Sequence, residues 1–357
     1  MIYSLDIEGY RSLKDLSLRL AQLTVIQGEN GTGKSNVYQA IRSLFALANG
    51  TFAQQIAMEG GTPSCFWAGE QPDHKDRKEI KLELKSANFK WLMRYGLVPT
   101  APPPMGSKPS TMFRTDPDIK QEYLTCESES HNRKDWGTQI SHVESMLSAV
   151  REMYQYPEMS KVRSEICGWR FYDQVRTDAL SPARQSSHRC WSPVLEGDAS
   201  NLAAAIQTIR ESGNNEAFDE ALKLAFPEHE LLIECGMNTL DFEWRQPGLN
   251  RPLKAKELSE GTLKYIALLT ALMSPSKPSL MVFNEPENSL NPRLFEPLAK
   301  SILAASESTQ VIVITHSMEL SELLTQQENS RLIELVLENG ATRLKEDIGA
   351  KRVWRFD

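Results

Sequence analysis

Hydrophobic and polar positions at the start of the chain predict a strand, a loop and a helix in that order. Apolar and polar residues alternate over residues 2–7, and residues 23–27 are mostly apolar. The first pattern is typical of a half-buried strand and the second of a buried strand. After a glycine-rich stretch, apolar residues recur every three or four positions over residues 37–48, which predicts a helix that ends near Asn49 and Gly50.

The middle of the chain is less regular. Residues 79–84 and 89–95 predict a hairpin that turns at residues 86–88, and five prolines between positions 99 and 109 then exclude regular structure. A mixed, polar region follows up to about residue 195, with a helix expected over residues 145–153. We interpret residues 96–195 as an inserted lobe.

The last third of the chain alternates buried strands with amphipathic helices. Apolar runs at residues 280–283 and 311–314 flank a helical pattern over residues 294–302. This alternation predicts an α/β fold with a parallel core sheet, to which the N-terminal strands add an antiparallel sheet. We therefore expect residues 1–95 and 196–357 to form the two parts of one head, interrupted by the lobe.

Composition supports a globular protein and limits its partners. The chain has 357 residues, of which 40% are hydrophobic and 24% charged, and a formal net charge of −7. A nucleic acid would therefore have to bind a local basic patch. The five cysteines form no CxxC pair of the kind that binds zinc. We find no secretory signal pattern at the start of the sequence and no run of about 18 uncharged apolar residues, the length that a membrane span needs. We expect a cytoplasmic protein without a membrane segment.

A phosphate-binding loop lies between the first buried strand and the first helix. Its sequence follows the pattern G-x-x-x-x-G-K-[ST] through Gly28, Glu29, Asn30, Gly31, Thr32, Gly33, Lys34 and Ser35. Backbone N–H groups of such a loop surround the β-phosphate, Lys34 reaches the β- and γ-phosphate oxygens, and Ser35 offers its hydroxyl to Mg²⁺. We expect these residues and the following Asn36 to bind nucleotide, which makes the chain a P-loop NTPase.

A second candidate motif follows the apolar run at residues 280–283. Asn284 and Glu285 come where a Walker B motif belongs, at the carboxyl end of a strand. Glu285 is the candidate catalytic base that orients the attacking water, although it could instead cap the helix that begins at Pro292. Asn284 is the candidate metal contact, and it replaces the usual Asp with a neutral amide, which predicts weaker Mg²⁺ binding or slower turnover.

Two further motifs complete an ordered set. Ser259, Glu260 and Gly261 precede a predicted helix and could bind an anion at its start, but a serine N-cap is also common helix chemistry. His316 follows the strand at residues 311–314 and is a candidate sensor of the γ-phosphate rather than a structural histidine. The order of loop, signature, Walker B and histidine is that of ABC-type ATPases.

The segments GENGTGKSN, ELSEGTLKY, FNEPENSLNP and ITHS resemble the SMC/RecF-like branch of ABC ATPases. Further segments resemble a bacterial family of ATPases of unassigned role with an AAA-type ATP-binding domain, and this likeness covers nearly the whole chain. The resemblance implies a head of ABC/SMC type and an ATP-driven homodimer. Each of two nucleotides would lie between the phosphate loop of one subunit and Ser259–Gly261 of the other. It also implies a D-loop position at Asn291, where the family often has His, and a Q-loop glutamine for which Gln174 and Gln185 are candidates.

We therefore expect an ATPase that forms ADP and phosphate with Mg²⁺ and acts as a nucleotide-gated dimeric switch in DNA maintenance or antiphage defence. Three alternatives remain: a nucleotide-binding module with little hydrolysis that regulates a partner protein, the ATPase subunit of a transporter, and a small-molecule phosphotransferase. Basic stretches at residues 161–191 and 245–264 could contact DNA, or their aromatic neighbours could belong to a core.

Overall fold

The computed structural model describes residues 1–69, 78–98, 113–173, 175–327 and 329–350, with side chains up to residue 347. The proline-rich stretch at residues 99–109, Gln174 and the last seven residues lie outside this description. The strands, in chain order, are β1 Ile2–Tyr10, β2 Leu13–Arg19, β3 Leu23–Gly28, β4 Glu79–Ser86, β5 Phe89–Leu97, β6 Pro117–Cys126, β7 Ser130–Asn132, β8 Arg170–Tyr172, β9 Ser187–His188, β10 Glu230–Cys235, β11 Thr239–Arg245, β12 Leu253–Lys254, β13 Leu280–Asn284, β14 Gln310–Thr315, β15 Ser330–Glu338 and β16 Ala341–Leu344.

Helices alternate with these strands most regularly in the last third of the chain. They are α1 Lys34–Asn49, α2 Phe52–Met58, α3 Thr62–Cys65, α4 Met146–Ala149, α5 Pro157–Cys167, α6 Leu202–Ile209, α7 Asn215–Ala225, α8 Glu260–Leu272, α9 Phe295–Ser306, α10 Met318–Leu324 and α11 Lys345–Ala350. Helix α1 ends as its sequence predicts, because Gly50 adopts a left-handed conformation and its N–H bonds to the carbonyl of Ala46.

The chain divides into two compact units. The first comprises the described residues of Met1–Ala21, Gly28–Trp169 and Ile333–Asp357, and the second those of Gln22–Gln27 and Arg170–Leu332. The division into residues 1–95, 96–195 and 196–357 stays a prediction.

An antiparallel sheet organises the first unit. Its strand order is β2-β1-β4-β5-β6-β7. The predicted hairpin forms from β4 and β5, with Leu84 opposite Trp91. Strands β15 and β16 pair antiparallel, and Leu335 lies opposite Leu344.

A parallel sheet forms the centre of the second unit. Its strands β3, β14, β13 and β8 lie in that order, with Gln27 opposite Thr315 and Ile314 opposite Asn284. The strands of this sheet are buried by α8 and α9, whose residues Leu268 and Leu298 are fully covered in the same core. The α/β fold class is thus confirmed, and a small antiparallel sheet of β9, β10, β11 and β12 completes the unit.

The helix expected over residues 145–153 is wrong in length. Helix α4 occupies only Met146–Ala149. The buried Glu122 carboxylate accepts the N–H of Met146 and so holds the helix start. Tyr156 then lies outside the helical region, with φ −130° and ψ 65°, because the helical conformation is disfavoured for a residue that precedes proline. The chain must leave the helix before the next one begins.

Candidate functional site

The phosphate loop in the first unit curls around its own lysine. The Lys34 ammonium donates to the carbonyls of Gly28 at 2.6 Å and Glu29 at 2.8 Å and is almost fully buried. Gly31 and Gly33 have φ angles of 83° and 98°, which L-residues rarely adopt. The contiguous motif therefore forms a loop that surrounds the ammonium group of its own Lys34.

Hydroxyl groups from distant segments support the end of this loop. Ser12 Oγ lies 2.7 Å from Thr342 Oγ1, and Thr342 donates to the carbonyl of Thr32 at 2.8 Å. The amide of Asn36 donates to Ser12 Oγ at 2.7 Å, so this predicted nucleotide contact makes an intramolecular hydrogen bond. A Cβ on Gly33 would lie 2.1 Å from Thr342 Oγ1. Glycine is therefore required here for space as well as for conformation.

Most of the remaining predicted residues of the loop face solvent. Glu29, Asn30, Gly31 and Ser35 are exposed, whereas Thr32 is buried and bonds through its hydroxyl to the carbonyl of Glu29 at 2.8 Å. The Ser35 hydroxyl is thus accessible at the first turn of α1.

In the second unit, Glu285 begins a segment that leaves the carboxyl edge of the parallel sheet. We call residues 285–291 the Glu285 loop. Glu285 has a φ of 50°, a strained angle for a residue with a side chain, and its N–H donates to the carbonyl of Ile314 at 2.7 Å. Asn288 Nδ2 donates to Glu285 Oε2 at 2.6 Å, and His316 Nδ1 lies 3.8 Å from Glu285 Oε1. The structure therefore brings the predicted base and the predicted sensor together.

Glu287 holds His316 in place. Its buried carboxylate accepts hydrogen bonds from the Thr315 hydroxyl at 2.5 Å and from the N–H groups of His316 and Ser317 at 3.0 and 3.3 Å. The same oxygen lies 3.2 Å from His316 Nδ1. The Glu287 side chain thus determines where the strand end and the imidazole lie.

A buried lysine holds the Glu285 loop from the other side. Lys264 on α8 is 6% exposed, and its ammonium donates to the carbonyls of Glu285 at 3.2 Å and Asn288 at 2.8 Å. Burial lowers the pKa of Lys264, while the nearby carboxylates of Glu287, Glu285 and Asp173 oppose that change. The loop is therefore held by a charge-assisted contact to its backbone.

Asn284 has a carboxylate beside it. Asn284 Nδ2 donates to Asp173 Oδ1 at 2.7 Å. The amide oxygen of Asn284 and the Asp173 carboxylate are both hard oxygen donors. They fit Mg²⁺, which is bound by few protein oxygens together with water and phosphate. Among the described residues, no group of three or more His, Cys, Asp and Glu side chains could hold a metal ion alone.

The predicted signature lies at the exposed start of α8. Ser259 is the N-cap and accepts the N–H of Thr262 at 3.1 Å, and Ser259 and Glu260 are both exposed. A Cβ on Gly261 would lie 2.6 Å from the carbonyl oxygen of Ser289, so glycine allows α8 to approach the Glu285 loop closely.

The D-loop and Q-loop candidates have simpler surroundings. Asn291 is exposed and accepts the N–H of Arg293 at 3.1 Å, as an N-cap does. Gln185 is exposed, and Gln174 lies outside the described residues.

Many of the basic side chains that could meet DNA are already paired. Arg184 is buried and donates to the carbonyls of Ala255, Lys256 and Leu258. Arg176 pairs with Asp178, Arg251 with Glu257 and Arg245 with Glu230. Trp169 and Tyr172 are buried, whereas Trp191 is 60% exposed. Much of the aromatic cluster therefore belongs to the protein interior.

Sequence reasoning missed the residues that support the motifs from a distance. These are Ser12, Asp173, Arg184, Lys264, Glu287 and Thr342. Two of them carried a signal, because Lys264 lies five residues after Ser259 among the mostly apolar residues 263–272, and Glu287 lies two residues after Glu285. Asp173 and Arg184 lie beside the Q-loop candidates Gln174 and Gln185 but were not recognised as supports, and Ser12 and Thr342 lie far from any motif in the sequence.

Comparisons with protein families identify the class of protein as an AAA ATPase. Residues 1–143 match a family described as "AAA ATPase domain". Residues 144–322, just over half of the chain, match the family described as "AAA domain, putative AbiEii toxin, Type IV TA system", and the chain belongs to this family. The comparison with curated protein sequences gives no match.

Solved structures of SMC heads share the fold. One is an SMC head bound to the C-terminal winged-helix domain of ScpA, with a TM-score of 0.57 and 14% identity over 98% of this chain and 99% of that one. Another is an SMC head with an extended coiled coil, bound to the C-terminal domain of ScpA derived from Pyrococcus furiosus, with a TM-score of 0.54 and 14% identity over 98% of both chains. The expected likeness to SMC heads is confirmed. In the parts of the chain that the structure describes, no helix has the length and apolar character needed to cross a membrane.

Proposed function

We propose that this protein binds ATP with Mg²⁺ and hydrolyses it to ADP and phosphate in a homodimer that closes around two nucleotides. The family match supports ATP as the ligand, and the likeness to SMC heads supports the ABC/SMC type. The exposed position of Ser259 and Glu260 supports a contact with a nucleotide held by the second subunit.

Each motif then has a defined task. The backbone of residues 28–33 surrounds the phosphates, and Lys34 exchanges its loop carbonyls for phosphate oxygens. Ser35 at the phosphate loop, and Asn284 with Asp173 at the strand end, each offer oxygen ligands for Mg²⁺, which neutralises developing charge on the phosphates when bound. Glu285 orients the attacking water, and His316 contacts the γ-phosphate side of the nucleotide.

The observation that carries this proposal is the conformation of Glu285. The residue keeps a strained φ of 50° while Asn288 and His316 lie at its carboxylate. Strain of this kind is concentrated at functional sites, where the surrounding structure maintains it. A carboxylate that merely capped a helix would not need it.

Replacing Glu285 with Gln tests the assignment directly. We expect Glu285→Gln to keep ATP binding, to lower phosphate release by about 10²-fold or more, since a positioned base contributes about 10²–10⁴-fold, and to accumulate dimers with ATP. Phosphate release and light scattering with and without ATP measure both effects. The exposed Glu307→Gln is a charge-matched control. Unchanged hydrolysis in the Glu285 variant would refute the base, and a monomer at saturating ATP would refute the dimer.

A nucleotide-binding module with little hydrolysis is the second candidate, and the neutral Asn284 favours it. The Asp173 carboxylate beside that amide favours hydrolysis, because it restores negative charge at this position. We expect measurable Mg²⁺-dependent phosphate release by the natural protein and at most a few-fold change in Asn284→Asp. If the natural protein releases no phosphate and only Asn284→Asp hydrolyses ATP, the protein is the nucleotide-binding module instead.

The biological partner of the switch is proposed as an effector protein in defence, with DNA as the alternative. The family description refers to a toxin and a Type IV TA system, which favours defence. The pairing of Arg176, Arg184, Arg245 and Arg251 within the chain leaves fewer cations for DNA. Binding to duplex and single-stranded DNA should therefore be weak in both the presence and absence of ATP. The logarithm of the binding constant should change little with the logarithm of the salt concentration. A binding constant that falls steeply with salt concentration would favour DNA as the partner.

A further inference from the structure

The first unit contains a cavity that the ATPase motifs do not use. It has a volume of about 550 Å³ and lies between the segment that follows β7 and the segment between α4 and α5. The volume is in the range of cavities that bind organic ligands. Its base is apolar and is formed by Ile140, Ala149 and Val150.

Three aromatic rings form one side of the cavity. The ring centroids of Trp136 and Tyr156 are 5.6 Å apart, and His131 lies 5.6 Å from Tyr156 and 6.0 Å from Trp136. All three side chains are partly exposed rather than buried in the core. Aromatic faces that remain accessible attract cations through their quadrupole.

The polar groups of the cavity have the matching charge. Asp135 and Glu152 are exposed carboxylates at its edge, and Gln139 and Gln155 add amide groups. No Lys or Arg occurs among the described residues that line it. The combination of aromatic faces, carboxylates and amides selects a cation that also donates hydrogen bonds, as a guanidinium does.

Exposed apolar side chains continue the surface beyond the cavity. Met153 is 65% exposed, and Tyr154 is fully exposed beside the lining residues Glu152 and Gln155. Neighbouring apolar side chains of this size on a surface indicate a protein contact, and Met and Tyr are enriched in protein interfaces. A free small cation would not need them.

We propose that this cavity binds an arginine side chain of a basic segment from a partner protein. The guanidinium stacks on one of the rings of Trp136 and Tyr156, whose planes are inclined by 65°, and donates to Asp135 and Glu152. Apolar neighbours of that arginine pack on Met153 and Tyr154. This site is independent of nucleotide hydrolysis.

Three probes test the chemistry in isothermal titrations with the full-length protein: acetyl-Leu-Arg-Leu-amide, the same peptide with citrulline in place of arginine, and N-acetylarginine amide. Citrulline has the shape of arginine without its charge. We expect saturable binding of the arginine peptide, about tenfold weaker binding of the citrulline peptide, and weaker binding of the single amino acid. Equal binding of the two peptides would overturn the cation site. Equal binding of the peptide and the single amino acid would overturn the partner segment.

Matched variants test the residues. Glu152→Gln should weaken the arginine peptide about fivefold and leave the citrulline peptide unchanged, whereas Glu127→Gln, an exposed acid outside the cavity, should change neither. Tyr154→Ser should weaken the peptide but not N-acetylarginine amide. Phosphate release should stay unchanged in all three variants, which separates this proposal from the proposed ATPase function. Unchanged peptide affinity in both Glu152→Gln and Tyr154→Ser would overturn the site.

Discussion

The phosphate loop and the Glu285 loop both hold polar groups in fixed positions, but different interactions stabilise the two loops. The phosphate loop is held by its own backbone and by small neutral hydroxyls, with one lysine on its own carbonyls. The Glu285 loop is held by buried charges, Lys264 on its backbone and Glu287 at its neighbouring strand end. The first arrangement depends on space and conformation, and the second depends on charges that must remain paired when buried.

This difference predicts that steric changes have their greatest effect in the phosphate loop. Gly33→Ala should abolish nucleotide binding and cost about 1–3 kcal/mol of stability, because its Cβ would meet Thr342 and Ser12 and its φ is 98°. Nucleotide titration and denaturant unfolding measure the two effects. Gly31→Ala is the matched control, since its φ is 83° but no atom lies within 4 Å of the added Cβ, and it should cost about 1 kcal/mol. Similar losses in both variants would show that conformation alone matters.

Charge removal should have its greatest effect in the Glu285 loop. Lys264→Met should lower phosphate release about tenfold or more while nucleotide affinity changes little, because two carbonyls lose their donor and the nearby carboxylates lose their cation. Steady-state kinetics and nucleotide titration separate these effects. The exposed Lys300→Met is the control. If Lys264→Met lowers nucleotide affinity as much as it lowers turnover, the Glu285 loop also contributes to nucleotide binding, which would contradict the proposed difference between the loops.

The pKa of Lys264 supplies a check on the same variant. Since burial lowers that pKa in the folded state, the unfolded chain binds more protons between the lowered value and the ordinary lysine pKa of about 10.4. The stability of the natural protein relative to Lys264→Met should therefore rise with pH through that window. If the difference in stability instead falls with pH, burial does not lower the pKa of Lys264 in the folded protein.

The smallest effect is expected at the neutral hydroxyls. Thr342→Val should weaken nucleotide binding a few-fold and cost about 1 kcal/mol, because the Thr32 carbonyl and Ser12 lose a partner of the same shape. Turnover at saturating ATP should be unchanged. Thr51→Val, at an exposed position, is the control for the substitution itself. Reduced turnover at saturating ATP would show that this hydroxyl acts beyond the phosphate loop.

The success of prediction from sequence depended on how far apart the cooperating residues lie. Periodicity predicted α1, the hairpin of β4 and β5 and the parallel strands β13 and β14, since each follows from a local pattern. It failed after Ala149, where α4 ends although the pattern predicts a helix up to residue 153, and Tyr156 lies outside the helical region before Pro157. Glu285 and His316 were predicted from motif order, and their proximity of 3.8 Å follows from strand pairing.

Eight contiguous residues were enough to predict the phosphate loop, because Lys34 bonds carbonyls of the loop itself and Gly31 and Gly33 have positive φ, whereas its support by Ser12 and Thr342 appeared only in the structure. The order of the motifs likewise predicts an ATPase head. The environment of Glu285 could not be predicted in full, since Asp173, Lys264 and His316 come near it only when the helix and strands pack together. Neighbours at such sequence distances carry no local pattern, so their identity as partners follows from the three-dimensional arrangement alone.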